Sequence, residues 1–217
     1  MKRVAPAASE PDTRERILAA ALTVFAERGF EAGTVRDITE AARVNTAAIN
    51  YYFRSKDELI RQVFEAGLKP IIRARSGALE ACIRQSAPAL PKISAVAEAL
   101  VRPLVELGAG EYRDVMTILM QVRTGQLPLT KRIVEEQFGP VHERFVDLLQ
   151  KLLPDLSRTE IALRYDCARG AVLQTLVHLA PASALAVAET DRERVDHEKT
   201  VRRLVRFVSA GLEAPPG

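Results

Sequence analysis

Apolar residues recur along this chain at intervals of three and four, and no period-two segment of any length interrupts them. That spacing belongs to amphipathic helices and leaves no place for a sheet. The first stripe, Ile17, Leu18, Ala21, Leu22 and Phe25, predicts a helix from about Thr13 to Arg28, with Gly29 placed to end it. Asp12 and Glu15 stand at capping-box spacing at its start. A short helix from Val35 to Ala42 follows, capped by Thr34 with Asp37 three residues on, and Val35, Ile38 and Ala42 face inward. Arg43-Val44-Asn45 breaks the pattern. A third helix, Thr46 to about Phe53, starts almost at once with Asn45 or Thr46 as its cap. Ser55 and Glu58 repeat the capping-box spacing and open a fourth, whose stripe is Leu59, Ile60, Val63, Phe64 and Leu68. Pro70 is expected to kink or end it, because proline lacks the backbone donor and clashes one turn back.

Beyond residue 75 the segments lengthen and breakers separate them. Loops fall at Ser86–Pro91, Gly108–Gly110, Gly125–Pro128 and Pro154–Ser157. Helices are expected at about 93–107, 111–124, 129–152, 158–180 and 198–212. The fold class is therefore all-α with about nine helices. A small N-terminal unit at 13–56 is followed by a helical domain at 57–213, whose 57–75 segment connects the two. Residues 1–12 read as a disordered basic arm and 214–217 as a frayed tail.

Composition narrows the class. Hydrophobic residues make up 47% of the 217, enough for a sizeable core, and with no tryptophan the packing falls to aliphatic side chains. The net charge of +3 argues little for nucleic acid by itself. Its distribution argues more, since Lys2, Arg3, Arg14, Arg16, Arg28, Arg36, Arg43, Arg54, Lys56, Arg61, Lys69, Arg73 and Arg75 crowd the first 75 residues. Cys82 and Cys167 are far apart with no CxxC, and read as two reduced core cysteines. No apolar run reaches the roughly 18–20 residues of a membrane span, and the opening MKRVAPAASEPD has no apolar signal core. The expectation is a soluble cytoplasmic protein without a membrane partner.

Thr34 to Glu58 carries the chemistry. Two short helices joined by a three-residue break and preceded by a packing helix meet the requirements of a helix-turn-helix. The second helix must lay its N-terminal side chains against base edges in the major groove. Ala47 and Ala48 are small enough for close approach, Thr46, Asn50 and Tyr51 offer hydrogen-bonding groups, and Ile49 and Phe53 look inward. Tyr52 and Lys56 sit where they can bond phosphates, helped by the positive N-terminus of the fourth helix. Thr34, Arg36, Arg43 and Asn45 complete the candidate contact set. Taken singly, the aromatic run Tyr51-Tyr52-Phe53 could equally be core, and Lys56 a solvated lysine.

The segment TVRDITEAARVNTAAINYYFRSKDELI resembles the DNA-binding signature of the TetR/AcrR family of bacterial regulators, and ILAAALTVFAERGFEAGT resembles that family's first helix. The resemblance covers about residues 13–60. It implies a homodimer on double-stranded palindromic operator DNA, with a ligand in the C-terminal bundle changing the spacing of the two reading units. Many members carry tyrosine where this chain has Asn50, so base specificity does not transfer. NTAAINYYFRSKDELI, the late ALAVAETD and the final RFVSAGLEA also resemble a fatty-acid-responsive subgroup, which implies an acyl chain or acyl-coenzyme A as effector.

By analogy with the family fold, a small hydrophobic effector sits among the middle helices and the dimer seam lies on the last two. Val115, Met116, Leu119, Met120, Phe145, Leu149 and Leu173 are candidates for the pocket, or for plain core. Arg123 would pair with a ligand anion, or else sit in a salt bridge or in solvent. Ile161, Ala168, Ala171, Val172, Leu176 and Leu179, with Val201, Leu204, Val205 and Val208, would form an apolar four-helix seam with a second copy, or pack inside one chain. Neither a metal nor a cofactor is expected. An enzyme on this scaffold has little support: His142, His178 and His197 fit no HExxH frame, and there is no GxSxG, P-loop or GxGxxG after a strand. A nonspecific DNA binder would want more positive charge. A repressor released by its effector is the expectation, and an activator of the same fold is the alternative, because the sign depends on where the operator lies.

Overall fold

The computed structural model describes residues 12–108, 112–125, 127–179 and 196–215. Among the described residues there are nine α-helices and no strand: α1 (Thr13–Ala32), α2 (Val35–Ala42), α3 (Thr46–Phe53), α4 (Lys56–Ser86), α5 (Ile93–Gly108), α6 (Arg113–Thr124), α7 (Pro128–Leu152), α8 (Arg158–Leu179) and α9 (His197–Leu212). None of them is long and apolar enough to cross a membrane. The chain forms two compact units, one reaching to Ala66 and the other starting at Gly67. Residues 1–11 of the expected arm and the loop glycine Gly110 lie outside the described residues.

The first unit is built on phenylalanine. Phe25, Phe53 and Phe64 are fully enclosed, and Phe30 bridges Phe25 and Phe64 at ring separations of 5.3 and 5.4 Å. Gly29 takes a left-handed φ of 81° and interrupts α1 where the sequence put its end, but one more helical turn follows to Ala32. That turn brings Phe30 onto the core. Gly33 then passes so close that an added Cβ would lie 3.0 Å from the Gly29 carbonyl oxygen and 3.1 Å from Phe25 and Val24. One expectation fails here: Asp12 occupies the N-cap of α1, yet its side chain makes no capping hydrogen bond.

In the second unit Pro70 does not end its helix. Helix α4 runs through it to Ser86, well past the expected end near residue 75. The apolar stripe explains why: Leu68, Ile71, Leu79 and Cys82 keep one face buried on both sides of the proline, and packing outweighs the lost hydrogen bond. Helices α5 and α7 likewise carry Pro103 and Pro140 inside them. Helix α9 packs on α5 and α8, and α8 also meets α7. Arg102 of α5 ties Glu98, Glu106 and Glu198 together, and Arg158 of α8 reaches Glu143 and Asp147 of α7. The tail is held rather than frayed as far as Pro215, because the Arg164 guanidinium donates to the carbonyls of Leu212, Ala214 and Pro215. Cys82 is buried as expected, but Cys167 is exposed on the outer face of α8.

Candidate nucleic-acid interface

Caps fix the two short helices in place. Thr34 and Asp37 form a complete capping box: Asp37 N–H donates to Thr34 Oγ1 at 3.1 Å, and Thr34 N–H donates back to Asp37 Oδ2 at 2.9 Å. Arg28 of α1 closes on Asp37 Oδ1 at 2.6 Å. These hydrogen bonds, those from Thr34 first, hold the Asp37 carboxyl below the usual carboxylate range. At the other end of α2, Arg43 turns left-handed with φ 54°, and Arg16 reaches across from α1 to the carbonyls of Ala42 and Arg43 at 2.9 and 3.3 Å. Asn45 Oδ1 then accepts from Ala48 N–H at 2.9 Å and starts α3. Arg54 closes α3 with φ 59°, and Ser55 Oγ caps α4 by accepting from Glu58 N–H at 3.1 Å.

Held at both ends, α3 divides its side chains by face. Ile49 and Phe53 enter the core at 2% and 0% exposure. Thr46, Ala47, Asn50 and Tyr51 are exposed, Tyr51 to 80%, while Ala48 and Tyr52 are half-buried. No side-chain hydrogen bond of Thr46, Asn50 or Tyr51 occurs among the described residues, and the Tyr51 ring touches only the edge of Tyr52, at 5.0 Å. This is a surface with donors and acceptors to offer and no structural duty. The other candidates are differently placed. Thr34 and Asn45 are engaged in caps, Arg36 pairs with Glu40 at 3.0 Å, and half-buried Lys56 donates to the Glu31 carbonyl at 3.3 Å. Arg43 is exposed beside them. Arg16 and Arg28, which set the angle of α2, were not singled out as anchors from sequence, since nothing in the spacing distinguishes them from solvated arginines.

In the second unit most of the pocket candidates are enclosed: Val115, Met116, Leu119, Phe145 and Leu149 are 0–7% exposed, and Met120 and Leu173 are half-buried. The side chains of Arg123 and Leu179 lie outside the described residues. The proposed seam residues are differently placed from what a seam requires. Ile161, Ala168, Val172, Leu176, Val201, Leu204 and Val208 are 0–9% exposed within the single chain, so their apolar surface is already covered. Only Ala171 and Val205 of that set are half-buried. The outward faces of α8 and α9 carry instead Leu163 and Phe207, 59% and 67% exposed.

One cluster was not foreseen. Arg75, counted above among the basic residues of the N-terminal portion, is 2% exposed inside the second unit. Its Nη2 donates to the Tyr165 hydroxyl at 2.5 Å, and its guanidinium lies 5.4 and 5.6 Å from the rings of Phe145 and Phe138. Its Nε is enclosed without an acceptor. Arg169 lies 5.6 Å from the Tyr165 ring and donates from Nη1 to His142 Nε2 at 3.2 Å. Burial, and then the charges of Arg169 and Arg75, push the His142 pKa down to about 3, so the imidazole is a neutral acceptor. Burial raises the Tyr165 phenol and lowers the Arg75 guanidinium. The signal was in the sequence: Arg75 occupies a stripe position, in register with Leu68, Ile71, Leu79 and Cys82.

The family model described as bacterial regulatory proteins, tetR family, matches residues 17–63. That described as tetracyclin repressor-like, C-terminal domain, matches residues 98–211, more than half of the chain. The chain belongs to the TetR family. Among relatives, YfiR of Bacillus subtilis, an uncharacterized HTH-type transcriptional regulator, is 31% identical over 141 residues, which are 62% of either chain. The chain thus spans under two thirds of YfiR's length. The HTH-type transcriptional repressor KstR2 of Mycolicibacterium smegmatis is 26% identical over 151 residues, 68% of either chain. Two solved structures share the fold. A TetR-like transcriptional regulator from Rhodococcus sp. RHA1 superposes with a TM-score of 0.65 at 18% identity, covering 98% of this chain and 100% of that one. FadR from Bacillus subtilis, in complex with stearoyl-CoA, gives 0.61 at 16% identity, covering 90% and 97%. Helices α2 and α3 are the helix-turn-helix of the family's N-terminal domain.

Proposed function

We propose that this TetR-family protein is a ligand-responsive repressor that binds a palindromic operator as a homodimer and is released by a small hydrophobic effector. The observation that carries the reading is the exposed face of α3, where Thr46, Ala47, Asn50 and Tyr51 stand clear of any structural role on a helix anchored by Ile49 and Phe53. A helix of that kind, laid in a major groove, presents an amide, a hydroxyl and a phenol to base edges and phosphates, with two alanines permitting close approach. Arg36, Arg43, Tyr52 and Lys56 surround it with groups suited to phosphates. Thr34 and Asn45 act through their caps, with the backbone N–H groups at the helix starts left for the DNA. Two copies would place their α3 helices one turn of DNA apart, roughly 34–36 Å. The seam we propose is the outer face of α8 and α9 around Leu163 and Phe207.

The aliphatic interior of the second unit, with Met116 and Leu119 enclosed and Met120 and Leu173 half-buried, supports an apolar effector, and the stearoyl-CoA held by FadR supports an acyl group within that class. The site of action is the cytoplasm, on the chromosome.

The test is retention of sheared genomic DNA from the source organism at about 150 mM salt, a concentration that strips nonspecific contacts. The wild type is expected to enrich a short palindrome, and an Asn50→Ala, Tyr51→Ala variant, altered only on the exposed face, is expected to lose it. Equal retention of random DNA by both proteins would refute sequence reading. Repression, as against activation, is then read from a reporter carrying the enriched site.

A further inference from the structure

Among the described residues of the second unit the guanidinium of Arg75 is the most enclosed charge, and none of them gives it a counter-charge. Arg75 forms no ion pair among the described residues. Its one hydrogen-bonded side-chain partner is a neutral phenol, and its charged neighbour, Arg169, carries the same sign. Asp166 balances Arg169 from the exposed side at 2.6 Å and leaves Arg75 uncompensated. Two aromatic faces offset part of the cost of removing such a charge from water, but contacts of this type are weaker than the hydration they replace. A buried arginine normally meets a carboxylate or a phosphate across its planar fork. Here the fork is built, its Nε has no acceptor, and no described residue supplies the anion that belongs opposite it.

The walls define what would fill that position. Phe138 and Phe145 of α7 cover the guanidinium faces, and Val141 and Leu149 continue the buried apolar face of the same helix. The Tyr165 hydroxyl accepts from Arg75 and keeps its own proton to donate. An occupant therefore needs one planar anionic end with lone pairs for Arg75 Nε and Tyr165 Oη, and an apolar remainder.

We infer that the effector of this regulator is an apolar monocarboxylic acid, its carboxylate held by Arg75 Nε–H and the Tyr165 hydroxyl, with Arg169 adding positive charge from behind Tyr165. This deepens the effector reading above and rests on it. It also distinguishes a free acid, which ends in a carboxylate, from an acyl thioester, which does not.

The test uses the full-length protein and a panel of straight-chain carboxylates from hexanoate to hexadecanoate together with 3-phenylpropionate. The corresponding primary alcohols, decanoyl-coenzyme A and inorganic phosphate serve as comparison arms. Binding is followed by the rise in unfolding temperature and by the side-chain Nε–Hε NMR signal of Arg75, assigned by its loss in Arg75→Met. We expect at least one carboxylate to bind, to shift that signal, and to bind at least tenfold more tightly than its alcohol. Arg75→Met should weaken that carboxylate at least tenfold while unfolding, without ligand, at or above the wild-type temperature, because it deletes an uncompensated charge and keeps the volume. Arg75→Lys, with charge but no fork, should fall between.

Four outcomes overturn the inference: no carboxylate binds; acid and alcohol bind alike; phosphate or the thioester outcompetes the acid; or Arg75→Met binds the acid as the wild type does. A large loss of ligand-free stability in Arg75→Met, with acid affinity retained, would make Arg75 a structural strut. Failure of the regulator reading is separate and visible: a protein that binds the acid through Arg75 but retains no palindrome keeps this site and loses the operator.

Discussion

His142 makes the second unit acid-sensitive, by an amount that can be worked out. The ring packs between Phe138 and Tyr165 at 5.5 and 5.6 Å, and its Nε2 accepts from Arg169. Burial and the two neighbouring arginines hold its pKa at about 3, against 6.5 for an unperturbed histidine. A group whose folded pKa lies below its unfolded one binds its proton in the unfolded chain first. Its stabilising effect is therefore complete above about pH 6.5 and is lost as the pH falls from there toward about 3. Between about pH 7 and pH 5 one proton of difference amounts to about 2 kcal/mol at most. Solvent reaching the half-buried ring screens part of this, which leaves an expectation of about 1 kcal/mol.

The perturbation is His142→Gln, which keeps an acceptor for Arg169 and removes the titration. Urea unfolding of both proteins, followed by circular dichroism at equal concentration at about pH 7 and about pH 5, isolates the ring, because every carboxylate is common to the pair. The wild type should lose about 1 kcal/mol more than the variant over this interval. Parallel losses would mean that the folded imidazole takes up its proton without penalty, and the description of the cluster as cationic and closed would fall with it.

Removing the α2 cap should be felt throughout the chain. Thr34→Ala deletes the side-chain half of the capping box, keeps the Thr34 N–H bond to Asp37, and is expected to cost about 1–2 kcal/mol, read as a fall of about 3–6 °C in unfolding temperature, while Thr34→Ser stays close to wild type. An unchanged Thr34→Ala protein would show that Arg28 and Asp37 hold α2 unaided. On the other unit, Leu163→Glu and Phe207→Glu alter only exposed positions and should leave the unfolding temperature within a few degrees of wild type, an allowance of about 0.5 kcal/mol for surface changes. Sedimentation should nevertheless report a monomer, with operator affinity reduced accordingly. A dimer that survives both substitutions places the seam elsewhere.

The helix-turn-helix was legible because its information is local. Thr34 with Asp37, Asn45 ahead of Ala48, and the inward pair Ile49 and Phe53 each act within one turn of chain, where spacing and chemistry coincide. What escaped the sequence depends on contacts between distant segments. Arg16 and Arg164 look like solvated arginines until α1 is laid beside Ala42, or α8 beside Leu212. Pro70 carries a strong local signal to stop, and a buried stripe continuing through Ile71, Leu79 and Cys82 overrules it. The apolar residues of α8 and α9 show the same ambiguity from the other side. Periodicity reveals that Val172 and Val208 have a buried face, but covering by the same chain and covering by a second copy leave one pattern. Arg75 alone was marked, as a charge in an apolar register, and its clue was obscured by the many basic residues before it.

In α2 and α3 the side chains that hold the helices and those that face outward are different residues. Thr34, Asp37, Asn45, Ile49 and Phe53 carry the caps and the core, whereas Thr46, Ala47, Asn50 and Tyr51 take part in neither. Exchanging any of the latter four removes no cap and opens no cavity. A duplicated copy of this gene could therefore drift at those positions without passing through an unfolded intermediate, and on the proposed reading it would gain a new address on the chromosome while inheriting the same scaffold.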